Sequence, residues 1–418
     1  MQKADAGASA AESDLSESVP GRSSERPWTF ALLIAPVAVL SNGVISGVLS
    51  YLLRQQGVGS ARGAAIISLL NLPQTTYFLW SPITDFWMLR RNWLILGSVT
   101  SSALLIVAFH QKNLATSTAV TLLFISACLC QLVVASCGGM MGTLHAEVTR
   151  RSASSFYQAG SLAFGALGIF VLASLAGKYS LGTLGWITAG LICLPALLAF
   201  AAPRQDFIQT SGLSDAMARL WSEFKVTFVR WQAIPYTLCM LFPMASGAAI
   251  GLLPGLAVDY GLSGQQVAWM NGLGGAVLTA AGAMAATLVP ARVSAPVAYL
   301  TSAVINAATL LILGLGPMHP ATYFAGVTLY LFTIGACYAL FTAVVLEFLG
   351  ASGKSGSGRY SIINALGNVP VVYMIFLDGK GYGRWGTRGL PLTEAIVGTV
   401  GAVILLSWFL TRRRQAAS

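Results

Sequence analysis

Between residues 28 and 411 the chain is an almost unbroken series of apolar runs, each about as long as a membrane is thick. A helix needs roughly 20 mostly apolar residues to cross a hydrocarbon core of about 30 Å. A chain that repeats such runs can bury them only in lipid and against one another. Of its 418 residues 56% are hydrophobic and 9% charged, against about 25% charged in a soluble domain. That excludes a soluble globular protein and predicts an all-α polytopic membrane protein.

Charged or Gly/Pro-rich punctuation divides the runs into twelve spans, at 28–53, 61–81, 93–110, 116–146, 155–177, 183–202, 232–257, 264–289, 294–315, 320–349, 359–378 and 391–411. The even count puts both termini on one side. The tails and the connectors on that side carry 17 of the 24 Lys and Arg residues, and the other side carries seven. Basic residues favour the cytoplasm, so both termini are expected there, in an inner membrane. The net charge of +10 is therefore a topology signal, and no nucleic-acid partner is expected.

Residues 1–26 are small, polar and Ser/Ala-rich with no apolar core, which predicts a disordered cytoplasmic tail in place of a cleaved signal peptide. Spans one to six form a bundle over 27–202, spans seven to twelve a second over 232–411, and 412–418 is a basic tail. The connector 203–231 places Leu220, Phe224 and Phe228 at helical spacing among Arg219, Lys225 and Arg230, the pattern of a helix lying on the membrane surface. The halves also repeat. A shift of 204 residues aligns Gly43, Gly47 and Gly57 with Gly247, Gly251 and Gly261, and a shift of 200 aligns Cys137 and Glu147 with Cys337 and Glu347. A duplicated six-span unit is a common plan for secondary transporters.

The second connector holds Asp85 and the pair Arg90 and Arg91 within FLWSPITDFWMLRRNW (78–93). This resembles the cytoplasmic loop of the major facilitator superfamily, in which an Asp and a basic pair join the second and third helices and hold that side shut. Ser81-Pro82 stands where Gly is common there, and Phe86 where a basic residue often follows the Asp. LPQTTYFLWSPITDFW (72–87) resembles the second-span signature of the superfamily's peptide and acetyl-coenzyme A transporter branch. That branch includes AmpG-type muropeptide permeases and the RhtX/FptX-type siderophore permeases. GACYALFTAVVLEFLGASGKSGSGRYSIINALG (335–367) is similar in layout to its tenth and eleventh spans, while GTLHAEV (142–148) replaces acidic residues that AmpG-type chains tend to carry. The resemblance implies twelve transmembrane helices in two pseudo-symmetric bundles, proton-driven uptake, and a central cavity lined by spans 1, 4, 7 and 10. The implied solute is a muropeptide or similar glycopeptide, with a siderophore next.

Polar groups within a span are costly and tend to face the bundle interior. The mid-span amides are Asn42, Gln74, Gln131, Asn271, Asn306, Asn364 and Asn368, with Tyr51, Tyr157 and Tyr360 nearer span ends. Any one of them could instead be interhelical glue, Asn306 above all. Asn42, Gln74, Gln131, Asn271 and Asn364 are the expected substrate contacts, and a wall of amides suits a polar, weakly charged solute. For gating or coupling the candidates are Asp85, Arg90 and Arg91, the helical set Glu147, Arg150 and Arg151, and Glu347. Glu347 has no close helical basic partner, which favours it as a proton carrier. Asp259 and Asp378 are expected near span ends, so no mid-bilayer carboxylate stands out.

The six cysteines lie in apolar runs, and Cys128 and Cys130 point apart on a helix, so neither disulfides nor a metal site is expected. GLGGAV (272–277) reads as close helix packing, and GKGYGRWGTRG (379–389) as an outside loop without a phosphate-binding ending. No catalytic signature appears and no soluble domain could hold a nucleotide. The expected partners are a small-molecule solute, protons and the lipid bilayer, with no cofactor, for a monomeric transporter. A lipid flippase or a membrane sensor without transport is the other class open to such a chain.

Overall fold

The computed structural model describes residues 26–142, 147–201, 212–290, 292–350, 362–363 and 365–417. In chain order the helices are α1 (Thr29–Gln55), α2 (Ser60–Thr76), α3 (Arg90–Phe109), α4 (Ser117–Gly142), α5 (Glu147–Leu175) and α6 (Leu181–Leu197). After the connector helix α7 (Leu213–Phe228) come α8 (Ile234–Leu241), α9 (Ala248–Leu256), α10 (Gly264–Leu288), α11 (Ala295–Leu315), α12 (Pro320–Gly350), α13 (Val369–Trp385) and α14 (Gly389–Ala417). No strand occurs among the described residues.

Nine described stretches are long and apolar enough to cross a membrane. The last of them, Ala365–Thr411, contains both α13 and α14. With α2, only 17 residues long, and the seventh span, which is cut into α8 and α9, the set makes twelve crossings. The protein is an all-α polytopic membrane protein of two six-helix bundles. The side on which α1 begins, α14 ends and α7 lies is the terminal face, and the opposite side the distal face.

The repeat in the sequence is a repeat in the backbone. At the distal end of α1, Gly57 is left-handed (φ 77°), its N–H bonds Arg54 O and the Val58 N–H reaches Leu53 O. At the distal end of α9, Gly261 is left-handed (φ 75°), its N–H bonds Val258 O and the Leu262 N–H reaches Ala257 O. This pair of bonds is the Schellman ending, in which a glycine takes up a left-handed turn that closes the last free carbonyls. Every position is displaced by 204 residues, as are the starts of the following helices at Ser60 and Gly264.

Three expectations are corrected. The seventh span is not continuous: residues 242–247 interrupt it, with Pro243 in the break and Ala245 and Gly247 left-handed at φ 45° and 75°. The second span ends as α-helix at Thr76, after the internal Pro73, and continues as short 3-10 turns through Asp85. Residues 379–385 are helix, not loop. Their glycines serve close approach: a Cβ on Gly379 would collide with Ala64 Cβ across the bundles.

That contact is testable. Gly379→Ala must displace α13 from α2, and overpacking of this kind costs about 1–3 kcal/mol. Thermal unfolding in detergent should show a lowered midpoint, whereas Gly383→Ala, whose added Cβ would sit 3.3 Å from Ala61, should fall measurably less.

Candidate functional site

The interior polar face begins on α1. The most apolar stretch of that helix is 83% buried, and Asn42 is exposed between buried Ser41 and Gly43. An exposed amide on a helix enclosed by its neighbours faces a space inside the protein. Asn42 lies in a stretch of π-helix, Ala38–Val48, a wider winding often found at functional positions. Its backbone there approaches α5 closely, Gly43 meeting Gly168. The Asn42 Nδ2 donates to Ser161 Oγ of α5 at 3.1 Å.

One turn on, Ser46 donates to Asn71 Oδ1 of α2 at 2.9 Å, and Gln74 Nε2 donates to the same oxygen at 2.9 Å. Asn71 Nδ2 in turn bonds Ile67 O at 2.8 Å. Asn71 is thus the hub between α1 and α2, a residue the sequence reading did not single out. The signal was available, since it stands one helical turn before Gln74 within the second span. Gln131 of α4 is buried, and its Nε2 has no hydrogen-bond partner among the described residues.

The other expected contacts separate from this group. Asn271 lies in a second π-helical stretch, Ala268–Leu273 of α10, and its Nδ2 donates to Tyr323 OH of α12 at 3.0 Å, near the distal face. Asn306 is buried and ties α11 to Tyr330 O and Thr333 Oγ1, the glue role expected of it. Asn364 lies outside the described residues. Glu147, Arg150 and Arg151 begin α5 in its first turns, as the spacing predicts, and their side chains lie outside the described residues. Glu347 is exposed and accepts a hydrogen bond from Tyr236 OH at 2.9 Å.

The Asp85 cluster forms at the terminal face. Arg90 Nε and Nη2 both bond Asp85 Oδ1, at 2.8 and 2.6 Å, while Arg90 Nη1 reaches Gly139 O near the end of α4 at 2.6 Å. A guanidinium joins the carboxylate to a helix C-terminus, where the backbone dipole favours positive charge. The Arg91 Nε is buried without a partner among the described residues, so the two arginines are not equivalent. Helix α7 packs on Ser81–Asp85 and, through Phe228, on Phe348 of α12, so it touches both halves.

The two halves meet tightly at the distal face. Ser50 Oγ accepts from the Gly255 N–H at 3.1 Å, Gly264 lies against Tyr51 and Ala173, and Ser68 donates to Val372 O at 2.7 Å. Above these contacts Arg54 pairs with Asp259, whose other oxygen accepts from Tyr382 OH at 2.7 Å and Thr387 Oγ1 at 3.0 Å. The polar face around Asn42 is therefore closed toward the distal side.

Two carboxylates depart from expectation. Asp378, expected at a span end, is fully buried within α13, and Glu394, inside the twelfth span and unremarked in the sequence reading, is 5% exposed and faces it.

Solved structures share this fold. A peptide transporter POT in complex with sulfate superposes with a TM-score of 0.68 at 14% identity, over 91% of this chain and 94% of that one. The nucleoside transporter NupG gives 0.64 at 12% identity over 92% and 98%. The fold is the major facilitator fold. At such identity the likeness extends to the fold alone. No protein-family model matches the sequence, and no curated protein matches it.

The distal latch gives a direct test. Asp259→Asn removes the partner of a half-buried arginine, and loss of about 1.4 kcal/mol of closure is tenfold in the open population. A cysteine at Ser50, sealed under Gly255, should react about tenfold faster with a membrane-impermeant maleimide in the Asp259→Asn background than in the parent.

Proposed function

We propose that the protein is a secondary active transporter that moves a polar solute across the inner membrane by alternating access, with both termini in the cytoplasm. The observation that carries this is the interior amide face of α1 and α2, closed at the distal side by packing and an ion pair. Such a face, sealed at one end, is what a solute path needs in one of its two states. The excess of Lys and Arg on the terminal face supports its assignment to the cytoplasm.

The solute class follows from the polar groups. Asn42, Ser46, Gln74 and Ser161, with buried Asn71 tying Ser46 to Gln74, offer amide and hydroxyl groups and no charge, and they suit sugar hydroxyls and peptide amides. The second-span resemblance to AmpG-type permeases makes a muropeptide or similar glycopeptide the first candidate, carried inward with protons by a monomer. The structural neighbours, a nucleoside transporter and peptide transporters, handle solutes with the same kinds of groups. The Asp85–Arg90–Gly139 cluster steadies the cytoplasmic ends of α3 and α4, and the Arg54–Asp259 pair latches the outer side. Helices α1 and α9, touching at Ser50 and Gly255, form the line about which the bundles rock.

The test is uptake into proteoliposomes of labelled anhydromuropeptide, a dipeptide, a nucleoside and a ferric siderophore, with and without an inward proton gradient. Accumulation of the anhydromuropeptide with the gradient is expected. Asn42→Ala and Gln74→Ala should raise its KM about tenfold, the scale of one or two lost hydrogen bonds to a bound polar group, with thermal stability retained. Asn306→Ala should instead lower stability and leave KM unchanged. Uptake of none of the four by folded protein would overturn the reading.

A further inference from the structure

Within the second bundle, two carboxyl groups meet with no cation between them among the described residues. Asp378 is 0% exposed and Glu394 5%, and the two side chains are in contact between α13 and α14. Asp378 stands seven residues before the end of α13 and Glu394 five residues into α14, so both lie about 8–10 Å inside the helix ends.

The hydrogen-bond inventory of the pair is incomplete in a specific way. Glu394 Oε1 accepts from Tyr330 OH of α12 at 3.1 Å and from Ser246 Oγ at 3.4 Å. Glu394 Oε2 and both Asp378 oxygens are buried with no hydrogen-bond partner among the described residues. Neither group takes part in an ion pair among those residues. Three buried acceptor oxygens on two interacting carboxyl groups lack a donor among the described residues, and a carboxylate pair so placed needs a positive charge between its members.

The groups around the pair decide which charge. Tyr330 and Tyr338 of α12 are the titratable side chains facing it. The break before α9 contributes the Ser246 hydroxyl and the backbone at Ala249, α2 contributes Ala64 beside Gly379, and among the described residues no Lys, Arg or His takes part. The Tyr330 and Ser246 hydroxyls spend their hydrogens on Glu394 Oε1, leaving direct contact between two carboxyls as the vacant position. That space suits a hydrogen, and a metal ion would need several more oxygens around it.

We propose that Asp378 and Glu394 form the coupling site of the transporter, sharing one proton between Glu394 Oε2 and an Asp378 oxygen. This rests on the transport reading above. The pair is joined to the distal latch by two short routes. Tyr382, one turn beyond Asp378 on α13, donates to Asp259, and the residue after Asp378 is Gly379, packed on Ala64 of the other bundle. On the other side, Ser246 lies in the break that frees α9 from α8, and α9 carries the Gly255 contact with Ser50. With the proton in place the two helices can stay together under the closed latch. Without it their repulsion separates α13 from α14 and loosens both routes at once.

The experiment reads the proton without any solute. Infrared difference spectra of the reconstituted protein, recorded as pH is stepped, should show a protonated-carboxyl C=O stretch that fades at high pH. Asp378→Asn and Glu394→Gln should each remove it, and Glu347→Gln should leave it. Persistence of the band in both variants would overturn the proposal, and so would its displacement by sodium at constant pH. Either variant suffices if the other fails to fold. In the uptake assay, both should lose gradient-driven accumulation about a hundredfold while keeping solute counterflow. Should none of the four solutes be transported, the infrared result still decides whether the pair binds a proton.

Discussion

Inside an apolar slab every freed backbone carbonyl needs a donor from the protein itself, and this constraint shapes the whole second bundle. The interruption at 242–247 leaves nearby carbonyls without their helical partners. Two tyrosines meet the demand: Tyr373 of α13 donates to Leu241 O at 2.6 Å, and Tyr299 of α11 to Met244 O at 3.1 Å. The break is therefore held open by side chains from two neighbouring helices, which makes it a fixed joint of the bundle. It also delivers Ser246 to Glu394, and its left-handed Gly247 abuts Tyr338.

The contacts between the bundles are of another kind. Small residues bring backbones together at Ser50 and Gly255, Ala64 and Gly379, and Gly264 and Ala173. Such contacts hold little side-chain surface, so one bundle can turn on the other without repacking a core. The Arg54–Asp259 pair with its two hydroxyl donors then supplies a directional closure that packing alone lacks. On the terminal face α7 replaces it: an aromatic row from Trp221 through Phe224 and Phe228 to Phe348 and Tyr236 ties the connector to the second bundle. The Lys225 stem over the Trp221 ring and the aromatic faces along this helix suit the membrane surface.

What the sequence disclosed, and what it withheld, follows from the range of each signal. Span length, loop charge and repeated glycines are local or periodic, so twelve spans and the duplication were legible; Gly57 and Gly261 hold the same left-handed turn because the same ending was copied. The Asp85–Arg90 pair was legible because five residues separate its members. The break in the seventh span was not, since Pro243 looks like any proline in an apolar run until Tyr373 and Tyr299 are seen to satisfy the carbonyls around it. The glycines of 379–385 were misread as part of a loop because a glycine serving close approach, as Gly379 does to Ala64, looks the same in sequence as one serving a turn, as Gly386 does. Asn71 and Glu394 were overlooked for a simpler reason: each stands inside a drawn span, and only its partners in space mark it out.

The polar groups divide between the halves by chemistry. The first bundle presents uncharged amides and hydroxyls along α1, α2 and α5, while the second encloses two acids between α13 and α14. A neutral polar face can bind and release a solute without a large desolvation cost, whereas a buried acid pair is strongly biased by a single charge. Both meet at one line, because α1 carries Asn42, Ser46, Ser50 and Arg54 at successive turns, from the amide face to the distal latch. A shift of α9 at the Ser50 contact therefore displaces the same helix that presents the proposed solute contacts. In the proposed transport cycle, placing the acids away from the amide face, yet one turn from the Arg54–Asp259 pair, lets charge act on the distal closure and leaves the amide face free to discriminate by hydrogen bonds.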